Sequence, residues 1–170
     1  FPADSPRIWN SKTALDLESV PKTLLVVGGG YIGLELGSVY AALGSQVTVV
    51  EMLPHLLAGA DRDLVRFLTK TLNDRFTATL LNTKVTAAKI QKNGVKVTFE
   101  GNDNESSTQL FQQVLVAVGR RPWTDRLGLE RTGIQLDGDG FVKIDEQRRT
   151  TAKTIFAIGD VAGQPMLAHK

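Results

Sequence analysis

The first fifty residues contain two apolar runs separated by an apolar pattern of helical spacing. Thr23 to Val27 is a continuous run, typical of a strand buried on both faces, and residues 47–50 form a second. Between them, apolar residues recur at helical intervals on one stripe: Ile32, Leu36, Val39, Tyr40 and Leu43. Strand, helix and strand in this order predict a parallel βαβ unit with a right-handed crossover.

The next segment predicts a second helix and a third parallel strand. Residues 77–81 would form the strand, and Asp61 or Asp63 could cap the helix before it. The apolar positions of this helix predict its buried face, which would contain Leu64, Val65, Leu68 and Leu72.

From Lys84 to Phe111 the pattern changes to a period of two, which predicts a three-stranded antiparallel meander. Asn93-Gly94 predicts a type I′ hairpin turn, since that turn requires positive φ at both central residues. The predicted fold class is therefore α/β, a Rossmann-like parallel sheet with a β-meander in place of one crossover helix.

The two ends of the chain predict less regular structure. Residues 1–21 carry three prolines and indicate a lead-in rather than a core. Residues 114–118 predict a buried strand, and short strands are expected at 141–144 and 155–158. Because the chain starts at Phe1 without an initiator Met, we expect it to be a piece of a longer protein.

Composition excludes several kinds of chemistry from these 170 residues. The chain has no cysteine, which excludes disulfides, thiol nucleophiles and Cys-ligated metals, and its two histidines make a metal site a poor expectation. The net charge is +2, with acidic and basic residues interleaved, so neither nucleic acid nor membrane is an expected partner. No apolar stretch approaches the roughly 20 residues that span a bilayer.

The motif Gly28-x-Gly30-x-x-Gly33 follows the first strand and begins the helix. In this context the glycines permit a tight turn, a close pyrophosphate and close helix packing, and the phosphates meet the helix N-terminus. Glu51 ends the second strand 18 residues after Gly33, where a carboxylate binds ribose hydroxyls and repels a 2′-phosphate. The pattern favours NAD over NADP, although a ligand-free glycine turn and a solvated Glu51 remain alternatives.

Other positions are ambiguous when they are considered alone. Glu35 lies off the apolar stripe and is either a surface residue or a site residue. The segment 116–122 is either a connecting turn or a wall of the same crevice. In the tail, Met166 and Leu167 would be interpreted as core residues and His169 as a structural histidine.

Together these segments resemble the pyridine-nucleotide–disulfide oxidoreductase family. The resemblance rests on residues 28–37, 49–51, 117–122 and 155–160, and the tail 163–170 is similar to the branch that oxidises dihydrolipoamide. It covers nearly the whole chain. Trp123 departs from the family, which usually has Asn after this proline.

The resemblance implies an FAD/NAD(P)-binding domain. Residues 22–150 would be the NAD-binding domain, 1–21 a lead-in from the FAD-binding domain, and 151–170 the start of its second segment. The implied NAD-binding residues are Gly28, Gly30, Tyr31, Ile32, Gly33, Glu35, Glu51, Val85, Ala117, Gly119 and Arg120. The implied FAD-binding residues are Asp160, Met166, Leu167, Ala168 and His169.

Among these, Glu35 would approach the nicotinamide and pair with a lysine beside the flavin, and Tyr31 would gate access to the flavin. No catalytic residue is expected in this chain, because the family's cysteine pair and its His–Glu base are missing. The implied parent is a cytoplasmic homodimeric flavoprotein of a 2-oxoacid dehydrogenase complex. Alternatives are another flavoprotein reductase, a transhydrogenase, or a non-catalytic nucleotide-binding module.

Overall fold

The computed structural model describes residues 1–102, 105–164 and 166. The chain divides into two compact units, Phe1–Gly119 and Arg120–Lys170. The first unit contains β1 (Ile8–Trp9), β2 (Thr23–Val27), α1 (Tyr31–Ala42), β3 (Gln46–Val50), α2 (Arg62–Arg75), β4 (Ala78–Leu80), β5 (Lys84–Gln91), β6 (Gly94–Glu100), β7 (Ser106–Phe111) and β8 (Gln113–Val116). Short 3-10 turns lie at Thr13–Leu15, Leu129–Arg131 and Gly159–Ala162.

Five of these strands form a parallel sheet in the order β1-β8-β2-β3-β4. The central strand β2 buries nearly all of its side chains, as the continuous apolar run predicts. Since β3 lies on one side of β2 and β8 on the other, the strand order reverses beside β2. Such a switch point is where open α/β sheets bind ligands. The predicted parallel βαβ unit and fold class are confirmed.

The predicted stripe of α1 is only partly correct. The helix buries Gly33, Leu34, Gly37 and Tyr40, whereas Val39 and Leu43 are exposed. A Cβ atom on Gly37 would lie 3.3 Å from the ring of Phe76, so the helix contacts its neighbours through its glycines. Hydrophobic spacing missed this face because glycines carry no apolar side chain.

The predicted face of α2 also needs a correction. Val65 and Leu72 are buried, but Leu64 is 69% exposed and Leu68 is 38% exposed. Leu64 therefore lies outside the packed face, and the assignment of Leu64 to the core is wrong. Asp61 does occupy the N-cap position, without a side-chain capping bond.

The predicted meander is confirmed as an antiparallel sheet in the order β5-β6-β7. Its apolar face packs with β2 and β8 in one core cluster. The predicted turn is wrong by one residue: Gly94 pairs with Gln91, and neither Asn93 nor Gly94 has positive φ. Gly94 is required for another reason, since a Cβ atom there would lie 2.4 Å from the Phe111 carbonyl oxygen.

The lead-in is more integrated than its prolines suggest. Ile8 and Trp9 pair with β8 as an edge strand, and Ala14 belongs to the buried core. The hydroxyl of Tyr40 donates a hydrogen bond to the Ala14 carbonyl oxygen at 2.6 Å. This bond fixes the lead-in against α1.

The second unit consists mainly of turns joined by isolated bridges. The bridges pair Leu136 with Val142, Ile144 with Thr150, and Arg149 with Phe156. The strands predicted at 141–144 and 155–158 are therefore wrong as continuous elements, because each segment finds only single-residue pairing. Among the described residues no helix is long and apolar enough to cross a bilayer.

Candidate functional site

Three strand ends meet at the glycine turn of the first unit. The N–H of Gly28 donates to the Val50 carbonyl at 2.9 Å, and the N–H of Ala117 donates to the Val27 carbonyl at 2.8 Å. The carboxyl ends of β2, β3 and β8 are therefore adjacent. Ala117, predicted as a wall of the crevice, borders this turn.

The glycines of the turn differ in how much space surrounds them. Gly28 has a φ of +108°, and a Cβ atom there would lie 2.4 Å from the Ala117 carbonyl oxygen. A Cβ atom on Gly33 would lie 2.3 Å from the Gly28 carbonyl oxygen. At Gly30, by contrast, an added Cβ atom would meet no protein atom within 4 Å. Gly28 and Gly33 allow the chain to close, and Gly30 leaves open space beside the turn.

The N-terminus of α1 faces that opening without a protein cap. Gly30 is the N-cap residue, its backbone is extended, and no side chain caps the helix. The first turn contains no acidic residue. First-turn N–H groups and the positive end of the helix dipole favour an anion at such a position.

Glu51 lies across the same turn. It is half-buried, with Oε2 accepting the Gly29 N–H at 2.6 Å and Oε1 accepting the Leu53 N–H at 2.8 Å. A carboxylate has about four acceptor positions, so about two remain for the hydroxyls of a ligand.

Gly29 also belongs to this turn, although the sequence analysis did not name it as a candidate site residue. A Cβ atom there would lie 2.6 Å from Cδ2 of Leu56 and 3.1 Å from Cβ of Glu51. Its signal was the unbroken Gly-Gly-Gly, of which the motif uses only two members.

Val85 belongs to a segment attached to the end of β3. The N–H of Thr83 donates to the Glu51 carbonyl at 3.0 Å, and that of Asn82 donates to the Leu53 carbonyl at 3.1 Å. Val85 follows two residues later at the start of β5 and packs against the core cluster that the meander shares with β2 and β8. Gly119 lies two residues beyond Ala117 and is exposed.

Tyr31 and Glu35 lie four residues apart on α1, and both are exposed. This spacing places them on one helix face. Ile32 is half-buried beside them. Among the residues that the structure describes, the Glu35 carboxylate has no ion pair or side-chain hydrogen bond, so it can pair with a group outside them.

In the second unit, Arg120 links two residues predicted to bind flavin. Its guanidinium donates to Asp160 Oδ2 at 2.5 Å and to the Met166 carbonyl oxygen at 2.8 Å. Leu167, Ala168 and His169 lie outside the described residues. Within residues 1–102, 105–164 and 166 there is no group of three metal-ligating side chains.

Comparison with known proteins identifies the family to which the chain belongs. Residues 3–170 match the family profile described as pyridine nucleotide-disulphide oxidoreductase. The chain is 47% identical to dihydrolipoyl dehydrogenase of Vibrio cholerae over 170 residues, which are 100% of this chain and 36% of that protein. It is 44% identical to the Geobacillus stearothermophilus enzyme of that name over 166 residues, 98% of this chain and 35% of that protein.

Solved structures agree with this similarity. The HOCl-induced flavoprotein disulfide reductase RclA from Escherichia coli superposes with a TM-score of 0.86 at 32% identity, over 98% of this chain and 37% of RclA. LpdA from Mycobacterium tuberculosis superposes with a TM-score of 0.83 at 33% identity, over 99% of this chain and 37% of LpdA. The chain thus spans about a third of each relative's length, and it belongs to the pyridine nucleotide-disulphide oxidoreductase family.

Proposed function

We propose that this chain is the NAD(H)-binding part of a dihydrolipoyl dehydrogenase. The observation that carries the proposal is the glycine turn at the ends of β2, β3 and β8, with open space above Gly30 and the Glu51 carboxylate at its edge. The 47% identity to a dihydrolipoyl dehydrogenase across the whole chain supports the choice of parent.

The pyrophosphate would lie on the N-terminus of α1, held by backbone N–H groups and the helix dipole. Glu51 would accept hydrogen bonds from the 2′- and 3′-hydroxyls of the adenosine ribose with the acceptor positions that Gly29 and Leu53 leave unused. The same negative charge would repel a 2′-phosphate, so NADH should bind better than NADPH. Val85, Ala117 and Gly119 would line this pocket near the adenine and the turn.

The nicotinamide end would extend along the exposed face of α1. Tyr31 would lie beside the nicotinamide and control its access to the flavin, and Glu35 would orient it and pair with a lysine of the parent. Bound NAD and FAD would supply the hydride chemistry. This chain supplies binding and orientation.

In the parent, electrons would pass from dihydrolipoamide through a disulfide and FAD to NAD. Residues 22–150 would be the NAD-binding domain, and residues 1–21 and 151–170 would belong to the FAD-binding domain. Asp160, Met166, Leu167, Ala168 and His169 would contact FAD. The parent would be a cytoplasmic homodimer in a 2-oxoacid dehydrogenase complex. The similarity to RclA supports a second candidate, a flavoprotein disulfide reductase with another substrate.

Calorimetric titration of the 170-residue chain with NADH and NADPH tests the nucleotide assignment. We expect NADH to bind more tightly, and Glu51→Arg to shift the preference toward NADPH. Absence of NADH binding at millimolar concentration, with circular dichroism showing a folded chain, would contradict the proposal. Steady-state assay of the full-length parent with dihydrolipoamide separates the two candidate parents.

A further inference from the structure

The second unit contains a solvent-facing cavity that the proposed function does not use. Its volume is about 350 Å³, within the range of small-molecule sites. One short stretch of chain lines it, through Arg121, Pro122, Trp123, Asp125 and Arg126. All of these described lining residues belong to the second compact unit.

Trp123 presents an apolar surface to this cavity. Trp123 is 76% exposed. An indole offers a large flat face whose burial against a planar ligand is favourable, and nucleobases stack on such faces. Trp9, the other tryptophan, is half-buried with its ring centroid 5.3 Å from that of Tyr40. Of the two tryptophans, only Trp123 is exposed.

Two arginines line the same cavity as Trp123. Arg121 and Arg126 are exposed, and neither side chain has a hydrogen bond or ion pair among the described residues. Arg7 and Arg62, in contrast, each donate to backbone carbonyls. The forked donors of arginine match phosphate oxygens. Two uncommitted arginines beside one aromatic ring suit a ligand that is both planar and anionic.

The segment is held in place by the turn that follows it. The Thr124 hydroxyl donates to the Gly140 carbonyl oxygen at 3.0 Å. A Cβ atom on Gly140 would lie 3.6 Å from the Pro122 ring, so the two loops are in close contact. Arg126 has a φ of 66°, a region that residues other than glycine adopt infrequently. These contacts orient the lining residues before a ligand arrives.

Asp125 narrows the ligand class. Its carboxylate can accept hydrogen bonds from hydroxyl or amino groups, while with two arginines the three charged lining groups carry a net charge of +1. A ligand that offers a flat ring, a phosphate and hydroxyl donors satisfies the whole lining.

We propose that this cavity binds a mononucleotide, at a site separate from the one proposed for NAD(H). The base stacks on Trp123, the phosphate pairs with Arg121 and Arg126, and Asp125 accepts from the ribose or the base. The site does not depend on the glycine turn.

Titration of the 170-residue chain with AMP, monitored by tryptophan fluorescence, tests the proposal. Trp9→Phe leaves Trp123 as the reporter, and saturable quenching is expected. Arg121→Gln with Arg126→Gln should raise the dissociation constant at least tenfold. The matched control pair, Arg148→Gln with Arg149→Gln, removes the same charge outside the cavity and should leave it unchanged. If Trp9→Phe does not fold, the red-shifted emission of exposed Trp123 in the unsubstituted chain reports the same titration.

Any of three results would overturn the proposal. These are no quenching by millimolar AMP, equal effects of the two arginine pairs on the dissociation constant, and adenosine binding as tightly as AMP. Tighter quenching by an oligonucleotide than by AMP would indicate a single-strand nucleic acid surface instead. Glu51→Arg should leave the AMP quenching of Trp123 unchanged, and in the chain with the Arg121 and Arg126 pair substituted, Glu51→Arg should still shift the preference between NADH and NADPH. Failure of one site is thus distinguishable from failure of the other.

Discussion

The carboxylate of Glu51 accepts the backbone N–H of Gly29 at 2.6 Å, across 22 residues of chain. The side chain proposed to recognise ribose therefore also holds the glycine turn in its ligand-free shape. Its second oxygen accepts the Leu53 N–H at 2.8 Å, which ties the loop after β3 to the same group. Recognition and loop geometry thus depend on one carboxylate.

Glu51→Gln should weaken both NADH binding and the stability of the glycine turn. The amide nitrogen of Gln is a donor, so one of the two backbone N–H groups loses its acceptor, at a cost of about 1–3 kcal/mol. We expect a lower free energy of unfolding in urea and about tenfold weaker NADH binding, since the proposed site would also lose a hydrogen bond to one ribose hydroxyl. Glu35→Gln is the control, because exposed Glu35 has no such contacts and its unfolding should change by less than about 0.5 kcal/mol. Equal destabilisation by both substitutions would contradict this account.

Alanine substitutions at two glycines of the turn should have different effects, one on stability and the other on NADH binding. Gly33→Ala places a Cβ atom 2.3 Å from the Gly28 carbonyl oxygen, which should destabilise the fold by about 1–3 kcal/mol. Gly30→Ala meets no protein atom within 4 Å, so the thermal midpoint should hardly change while NADH affinity falls about tenfold or more. Thermal unfolding and calorimetry on both variants check this. A Gly30→Ala chain that binds NADH normally would show that the open space is not the pyrophosphate position.

Tyr40 should make the fold sensitive to alkaline pH. Burial, with a smaller contribution from the negative charge of Asp16, raises the pKa of the Tyr40 phenol above its ordinary value of 10.0. The unfolded chain then releases its proton first, so the stability is complete below pH 10 and is lost as pH rises through the folded-state pKa. Urea unfolding between pH 8 and about pH 11 should show this decline.

Tyr40→Phe should flatten that decline. The same change removes the hydrogen bond to the Ala14 carbonyl, so the variant should be about 1 kcal/mol less stable at neutral pH. If the free energy of unfolding of this variant falls above pH 10 as steeply as that of the unsubstituted chain, then groups other than Tyr40 cause the decline.

Arg120→Gln should loosen the segment that contains Asp160. The ion pair is partly exposed, so the thermal midpoint should shift little, but the segment 159–164 loses its attachment through Asp160 and Met166. Thermolysin, which cuts before apolar residues such as Val161, should cleave the variant faster. Arg131→Gln provides the control, since its contact with Glu130 is 3.8 Å long and mostly exposed. Equal cleavage of the two variants would contradict the role of Arg120.

Local patterns predicted the elements around the site. The apolar runs at β2 and β3, the helical spacing of α1 and the glycine motif predicted the βαβ unit, and the alternation in residues 84–111 predicted the meander. Each of these signals depends on neighbours within a few residues, where backbone geometry alone sets the period. Glu51 was also predicted at its position, because the end of a strand is visible in the pattern.

Packing between distant segments decided the rest. Periodicity placed Val39 and Leu64 in buried faces, yet both are exposed. For Val39 the reason is that α1 approaches its neighbours through Gly33 and Gly37. Glycine is required at position 94 because the Phe111 carbonyl, 17 residues away, leaves no room for a Cβ atom. The sequence by itself determined the order of elements and the motif that marks the turn. Only the tertiary structure decided that Glu51 holds Gly29 and that Arg120 holds Asp160, because such contacts form between groups that no local period relates.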